Sequence, residues 1–182
     1  MAERQAAFQA LVNLAHRSKR SAKGLPAQKD ITPHWSGVGF SLLNCRFVAP
    51  MGVVSEMLEV PPYTHLPGVK SWVRGVANVR GRLLPLFDMA DFFGERLLGQ
   101  RKQRRVLILE TENLYSGLIV DRVFGMQHFP IDTFTDDVTG VPAPMKPFVV
   151  GCYPQDDSND GWWVFSPLRL AEDSHFINAA QS

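Results

Sequence analysis

Two short apolar runs flank the dipeptide Arg80-Gly81, with Trp72, Val73, Val76 and Val79 before it and Leu83, Leu84, Leu86 and Phe87 after it. β-Favouring side chains on both sides of a two-residue reversal specify a β-hairpin, because glycine takes positive φ without the roughly 1–2 kcal/mol that a Cβ would cost there. Pro85 has no N–H, so the returning strand is expected at an edge or kinked at that point. Asp88 stands where it can cap the short run Met89–Phe93, which Gly94 ends. The segment Ser71–Phe93 organises the chain. The residues before it lead into it, and those after it read as a second, looser copy.

The rest of the sequence repeats the same grammar of short strands and breaks. Val38, Phe40 and Leu42 alternate, as do Phe47 and Ala49, and Val53–Val60 forms a longer β-rich run ended by Pro61-Pro62. Tyr63-Thr64-His65 is expected to be exposed or edge-like. Val106–Leu109 and Leu114–Val120 predict a second hairpin, and Val123–Phe129 a further strand closed by Pro130. Thr133–Pro147, rich in Asp, Thr, Gly and Pro, predicts an irregular connection with a turn of helix. Phe148–Tyr153 and Trp162–Phe165 predict two more strands with a turn at Asp160-Gly161, and Pro167 opens a short helix over Leu168–Glu172. Many short strands with only short helices argue for an all-β barrel architecture. At the start, Ala7, Phe8, Leu11, Leu14 and Ala15 predict an amphipathic helix over Ala2–Arg17, and Ser18–Pro33 a polar linker.

Chemistry is sparse. Cys45 and Cys152 lie far apart in apolar runs and read as thiols without a disulfide or metal. The five histidines are scattered singly. Gly37-Val38-Gly39 has no third glycine at the dinucleotide offset, and no phosphate-cradling loop is present. Ser166, His128 and Asp88 could be combined into a triad only by arithmetic, since no nucleophile-elbow sequence surrounds any serine. Arg101–Arg105, with Lys102, could meet phosphates, but a solvated loop is the simpler reading without interleaved aromatics. Trp162-Trp163 predicts one core-facing indole and one outward-facing one.

A net charge of +1 over 182 residues gives no global field for nucleic acid or an anionic membrane. Glu3 and Arg4 interrupt any signal-peptide core, and no stretch reaches the ~18–20 apolar residues that cross a bilayer, so a soluble cytoplasmic protein is expected. What is left is surface. Val54 and Glu56 share a strand face by the period of two, and Arg80 at the hairpin reversal should lie near them. An arginine oriented by a carboxylate near apolar groove surface is a binding-site layout, since the guanidinium can still offer donors outward.

The pattern formed by Asn78, Arg80, Gly81, Pro85 and Asp88 resembles the central segment of CheW-like coupling proteins of bacterial chemotaxis, and the match runs from Ser36 to about Phe176. The resemblance implies an all-β fold of two SH3-like five-stranded β-barrel subdomains sharing a core, with short helices and an N-terminal helical extension. The implied boundaries are 1–35 for helix and linker, 36–176 for the CheW-like domain and 177–182 for a tail. Within the domain, subdomain 1 would span about 36–98 with part of the C-terminal segment, and subdomain 2 about 102–165.

The family's receptor-facing residues fall on Val54, Glu56, Gly75 and Arg80, and a second-barrel segment tied to the fold and a kinase-facing surface falls on Gly117, Val120, Asp121 and Val123. The resemblance further implies a non-enzymatic adaptor between a methyl-accepting receptor tip and the regulatory domain of a CheA-type histidine kinase. It implies no catalytic residue, no cofactor, no metal, no nucleic acid and no direct membrane insertion. Residues 66–85 and 117–130 look most like the branch serving type IV pilus twitching, whose partners are a PilJ-like receptor and a ChpA-like kinase at the inner membrane. The rival readings are a small enzyme or ligand-sensing barrel using a cavity between the subdomains, and an SH3-like nucleic-acid-binding module.

Overall fold

A computed structural model of the chain describes residues 33–98, 100–112, 114–155 and 158–180. The helix expected over Ala2–Arg17, and the linker up to its last residue, lie outside these residues. The described strands are β1 (His34–Leu42), β2 (Cys45–Pro50), β3 (Val54–Glu59), β4 (Val73–Val79), β5 (Arg82–Asp88), β6 (Arg105–Glu110), β7 (Tyr115–Val120), β8 (Arg122–Pro130), β9 (Val149–Gln155) and β10 (Ser158–Phe165). Three short helices join them, α1 (Met89–Phe92), α2 (Pro167–Glu172) and α3 (Ser174–Ile177). Sheet 1 has the order β3-β6-β7-β5-β4 and sheet 2 the order β8-β1-β2-β10-β9.

The central hairpin forms as its residues require. Val79 pairs with Arg82 across the Arg80-Gly81 turn. Both turn residues take left-handed φ, 52° at Arg80 and 81° at Gly81, and Asn78 Oδ1 accepts the Gly81 N–H at 2.9 Å. Asp88 caps α1 by accepting the Asp91 N–H. Pro85, however, does not mark an edge. β5 is interior, and Pro85 sits one residue before its pairing with β7 begins at Leu86. The missing N–H is tolerated because that side of the strand is not yet paired.

The sheets do not divide the chain into the expected subdomains, about 36–98 with part of the C-terminal segment and about 102–165. Sheet 1 takes strands from 54–120, while sheet 2 joins 34–50 to 122–165. The β1–β2 hairpin buries Phe40 and Phe47 on one face and Val48 on the other, so it needs neighbours and cover on both sides. It finds them in β8 and in β10, which joins β2 in parallel. Asp160-Gly161 also falls inside β10 and not at its turn, because the β9–β10 register slips between Ser158 and Trp162. Neither indole of the tryptophan pair faces outward freely. Trp162 is buried in one apolar cluster, while Trp163 packs against the other across the strand.

The two sheets repeat one plan. Each ends in a bulged edge strand, with a register slip between Val54 and Glu56 in β3 and between Val123 and Gly125 in β8. In each, the chain beyond that strand bridges to the opposite edge, Thr64 to Val76 and Thr135 to Cys152. A glycine precedes each acceptor. A Cβ on Gly75 would stand 2.0 Å from Thr64 O, and one on Gly151 would stand 2.3 Å from Thr135 O. The paired backbone bonds are 2.8 and 2.9 Å at Thr64–Val76 and 2.9 and 2.8 Å at Thr135–Cys152. Each sheet thus closes on itself as a small barrel, consistent with the all-β expectation.

One apolar core is shared. Phe40, Phe47 and Phe165 of sheet 2 join Leu84, Leu86, Leu107 and Leu118 of sheet 1 in a single cluster, and a smaller cluster of Val48, Tyr153, Trp162 and Val164 fills the other side of sheet 2. The C-terminal segment is part of this core. Phe176 of α3 stacks on Trp72 at 5.7 Å and meets Phe87 edge-on at 4.8 Å, and Lys70 N–H donates to Ala179 O at 2.9 Å. Burying three aromatic rings together makes this seal hard to open. Phe176→Ala should lower the unfolding free energy by about 3–4 kcal/mol, read from a urea midpoint, and a loss below about 1 kcal/mol would show that the segment is only an appendage.

Candidate protein-interaction site

Three arginines of the central segment each engage a carboxylate from another element. Arg74 holds the buried Asp88 at 2.6 Å and approaches Asp91 at 3.6 Å. Burial opposes the Arg74 charge, but the hydrogen bond and the field of Asp88 win and hold its pKa above the usual value. Arg82 bonds Glu110 at 2.7 Å and lies over the Tyr115 ring at 3.9 Å. Arg80 bonds Glu56 at 2.8 Å. The Arg80 side chain is nevertheless 79% exposed, against 36% for Arg74. Among the three it offers the most outward-facing donor surface.

Its stability balance is poor. Arg80 stands in the left-handed region, at a cost of roughly 1–2 kcal/mol for a residue with a Cβ. An exposed ion pair contributes only about 0–1 kcal/mol. Folding alone therefore gives no reason for an arginine at this turn, and strain of this kind points to use. Val54, Glu56 and Leu58 are the half-buried residues of β3, while Met57, between Glu56 and Leu58, is 43% exposed. Leu83, which pairs with Asn78 beside the turn, is 68% exposed. The structure thus brings Glu56 and Arg80 together as the sequence suggested, but the bulge between Val54 and Glu56 sets them opposite Leu109 and Ile108, successive residues of β6, so the period of two that was expected to put both on one face does not hold there.

Gly75 belongs to the same region but is not surface. It is buried, and its missing Cβ is what admits Thr64 to the β4 edge. Gly75→Ala should break the Thr64–Val76 bridge and destabilise the fold by at least about 2 kcal/mol while amide exchange at Thr64 and Val76 accelerates; retained protection there would contradict this role.

The second set does not converge on a surface. Gly117 is enclosed by Leu86, Val106 and Leu84 side chains, and Val120 is fully buried. Asp121 is 8% exposed, accepts the Leu43 N–H at 2.8 Å and donates its own N–H to Ser41 O. It pins the β1–β2 turn, where Leu43 and Asn44 both take positive φ, to the point where the chain crosses between sheets. Val123 is half-buried. The residues that sequence reasoning missed lie beside it, with Phe124 44% and Met126 53% exposed on β8. A signal existed, because Val123, Met126 and Pro130 recur with the spacing of Val54, Met57 and Pro61.

Burial pushes the Asp121 carboxyl above its usual 3.8, against the pull of the Leu43 hydrogen bond. A raised acid pKa means the folded state prefers the protonated form, so this group favours folding most below its unfolded value and less as pH rises through the folded one. Asp121→Asn keeps an oxygen for Leu43 and should melt at least as high as the parent at pH 7, with the difference vanishing below about pH 4. A loss of stability at pH 7 that disappears below about pH 4 would show that the charge itself is used.

Among the described residues no group of three or more potential metal ligands occurs. The cavity between the sheets, lined by residues such as Phe40, Phe93, Leu118 and Met145, holds about 10 Å³. Ligand pockets run to roughly 300–1,000 Å³, so the shared interior is filled and has no room for a metabolite. No described helix is long and apolar enough to cross a membrane.

Residues 36–173 match the model of the CheW-like domain family. The chain belongs to the CheW-like family. It is 50% identical over 180 residues to Protein PilI of Pseudomonas aeruginosa, covering 99% of each chain. It is 27% identical over 113 residues to the chemotaxis protein CheW of Helicobacter pylori, covering 62% of this chain and 68% of that one. The crystal structure of the scaffolding protein TtCheW from Thermoanaerobacter tengcongensis superposes with a TM-score of 0.67 at 23% identity, over 80% of this chain and 97% of that chain, and shares the fold. CheW-like proteins are non-enzymatic coupling scaffolds, so the work of this CheW-like domain is done by its surfaces.

Proposed function

We infer that this chain couples a methyl-accepting receptor to a CheA-type histidine kinase in a chemosensory system controlling type IV pilus twitching motility. The near full-length identity to Protein PilI supports the pilus assignment, and with it a PilJ-like receptor and a ChpA-like kinase. Such partners would hold the protein at the inner membrane without insertion of its own.

The observation that carries the reading is Arg80, held in a strained turn by Glu56 with its guanidinium still open to solvent. In this assignment Arg80 and Glu56 meet the receptor tip, Val54 supplies apolar surface, and Gly75 acts from beneath by fixing the Thr64 edge. The domain proper is 36–176, with 1–35 an accessory extension. Gly117, Val120, Asp121 and Val123 shape the kinase-facing barrel from within rather than touching the kinase.

The rival of a nucleic-acid module finds little support in sheet 2. Its aromatics stack on one another, Trp35 on Tyr153 at 5.5 Å and Phe129 on Tyr153 at 4.5 Å, leaving no open platform of bases' size. Arg80→Glu should weaken binding of a purified receptor-tip fragment at least about tenfold while the melting temperature stays within a few degrees, because the side chain is exposed. Unchanged titration by calorimetry would remove Arg80 from the receptor surface.

A further inference from the structure

Away from Arg80, an open groove of about 530 Å³ runs between the segment after β3 and the loop that precedes β6. One wall carries Pro62 and Tyr63, and the other carries Arg101, Lys102, Arg104 and Arg105. Glu59 is the one carboxylate on its lining. The cations are unequally engaged. Arg105 is committed to the fold, donating to the carbonyls of Lys102 at 2.7 Å and Arg104 at 2.8 Å and standing 3.6 Å from Glu59. Arg104 donates to Leu97 O at 3.3 Å, yet its Nε is buried with no hydrogen-bond partner. Arg101 and Lys102 are exposed and enter no ion pair among the described residues.

Arg104 lies in the field of the buried Asp121 and Arg105 stands near Glu59, which leaves Arg101 and Lys102 as like charges side by side on one wall with no ion pair among the described residues. A loop that served only to connect β5 and β6 would gain nothing from this arrangement. We propose that this groove is a docking site for a short acidic peptide segment of a partner protein, with carboxylates on Arg101, Lys102 and Arg104 and an apolar side chain against Pro62 and Tyr63. The proline-tyrosine wall favours a peptide over a polynucleotide, because Tyr63 is the groove's one large aromatic ring and is already engaged edge-on with His65 at 5.1 Å, whereas a single strand needs successive rings on which to stack its bases. The net charge of +1 supplies no wider field that would hold a long polyanion. The site is separate from the Arg80 surface and stands whether or not that surface meets a receptor.

The test is fluorescence anisotropy on the full chain at about 0.1 M salt, where exposed charges further apart than about 10 Å are screened. The probe is a fluorescein-labelled peptide of glutamates around one leucine and one phenylalanine. Saturable binding is expected, weakened at least about tenfold by Arg101→Glu with Lys102→Glu and unaffected by Arg80→Glu. The same peptide with glutamines should not bind. If the double variant melts lower than the parent, Arg101→Gln with Lys102→Gln gives the same reading with a smaller charge change. Absence of saturation, equal binding of the glutamine peptide, undiminished binding by both double variants, or tighter binding of a single-stranded oligonucleotide of the same charge would each overturn the proposal.

Discussion

Each barrel depends on a backbone reaching its far edge through space that only a glycine leaves open. A five-stranded sheet that ended at β3 or β8 would expose a row of unpaired N–H and C=O groups, and the two-bond bridges at Thr64–Val76 and Thr135–Cys152 remove that liability. Gly75 and Gly151 stand where a methyl group would collide with the incoming carbonyl. Closure in turn sets the curvature that brings Glu56, on one edge strand, within hydrogen-bond distance of Arg80, on the hairpin attached to the other. The surface chemistry of the protein is therefore a product of its barrel geometry.

That geometry also explains why function has moved outward. The two sheets share one core so completely that the space between them holds no ligand, and the conspicuous buried charges, Asp88 and Asp121, are occupied with capping a helix and holding a turn. What the fold leaves uncommitted is at its margins: Arg80 on its turn, Met57 and Met126 on matching bulged strands, and the cations ahead of β6. Surfaces of different character on different edges suit a scaffold that must hold unlike partners at once.

Local order was legible in the sequence because local chemistry sets it. The Arg80-Gly81 hairpin, the Asp88 cap and the proline-initiated helix at Pro167 come from turn residues and caps, and Glu56 meets Arg80 as expected although the bulge in β3 breaks the period of two there. Sheet membership was not legible, because nothing in β1 or β2 states that their partners lie some eighty residues on in β8 and a further stretch away in β10. The same limit misplaced Pro85, whose neighbours decide whether a missing N–H matters, and the outward tryptophan, since only the assembled core shows that β10 is covered on both faces. For Gly117, Val120 and Asp121, motif position gave no hint of depth. The recurring valine, methionine and proline of β3 and β8 were readable in advance, but their meaning needed the register.

The threading of strands carries a consequence for synthesis. Of the strands, β1 and β2 leave the ribosome first, apolar on both faces, yet β8, the first strand that pairs with β1 after them, is made only once the whole of sheet 1 has been translated. During that interval the growing chain displays a sticky hairpin with no cognate neighbour, while the intervening segment can already collapse. Chaperone demand in vivo should accordingly fall on the β1–β2 hairpin, and a product stalled or terminated before β8 would be more aggregation-prone than its composition suggests.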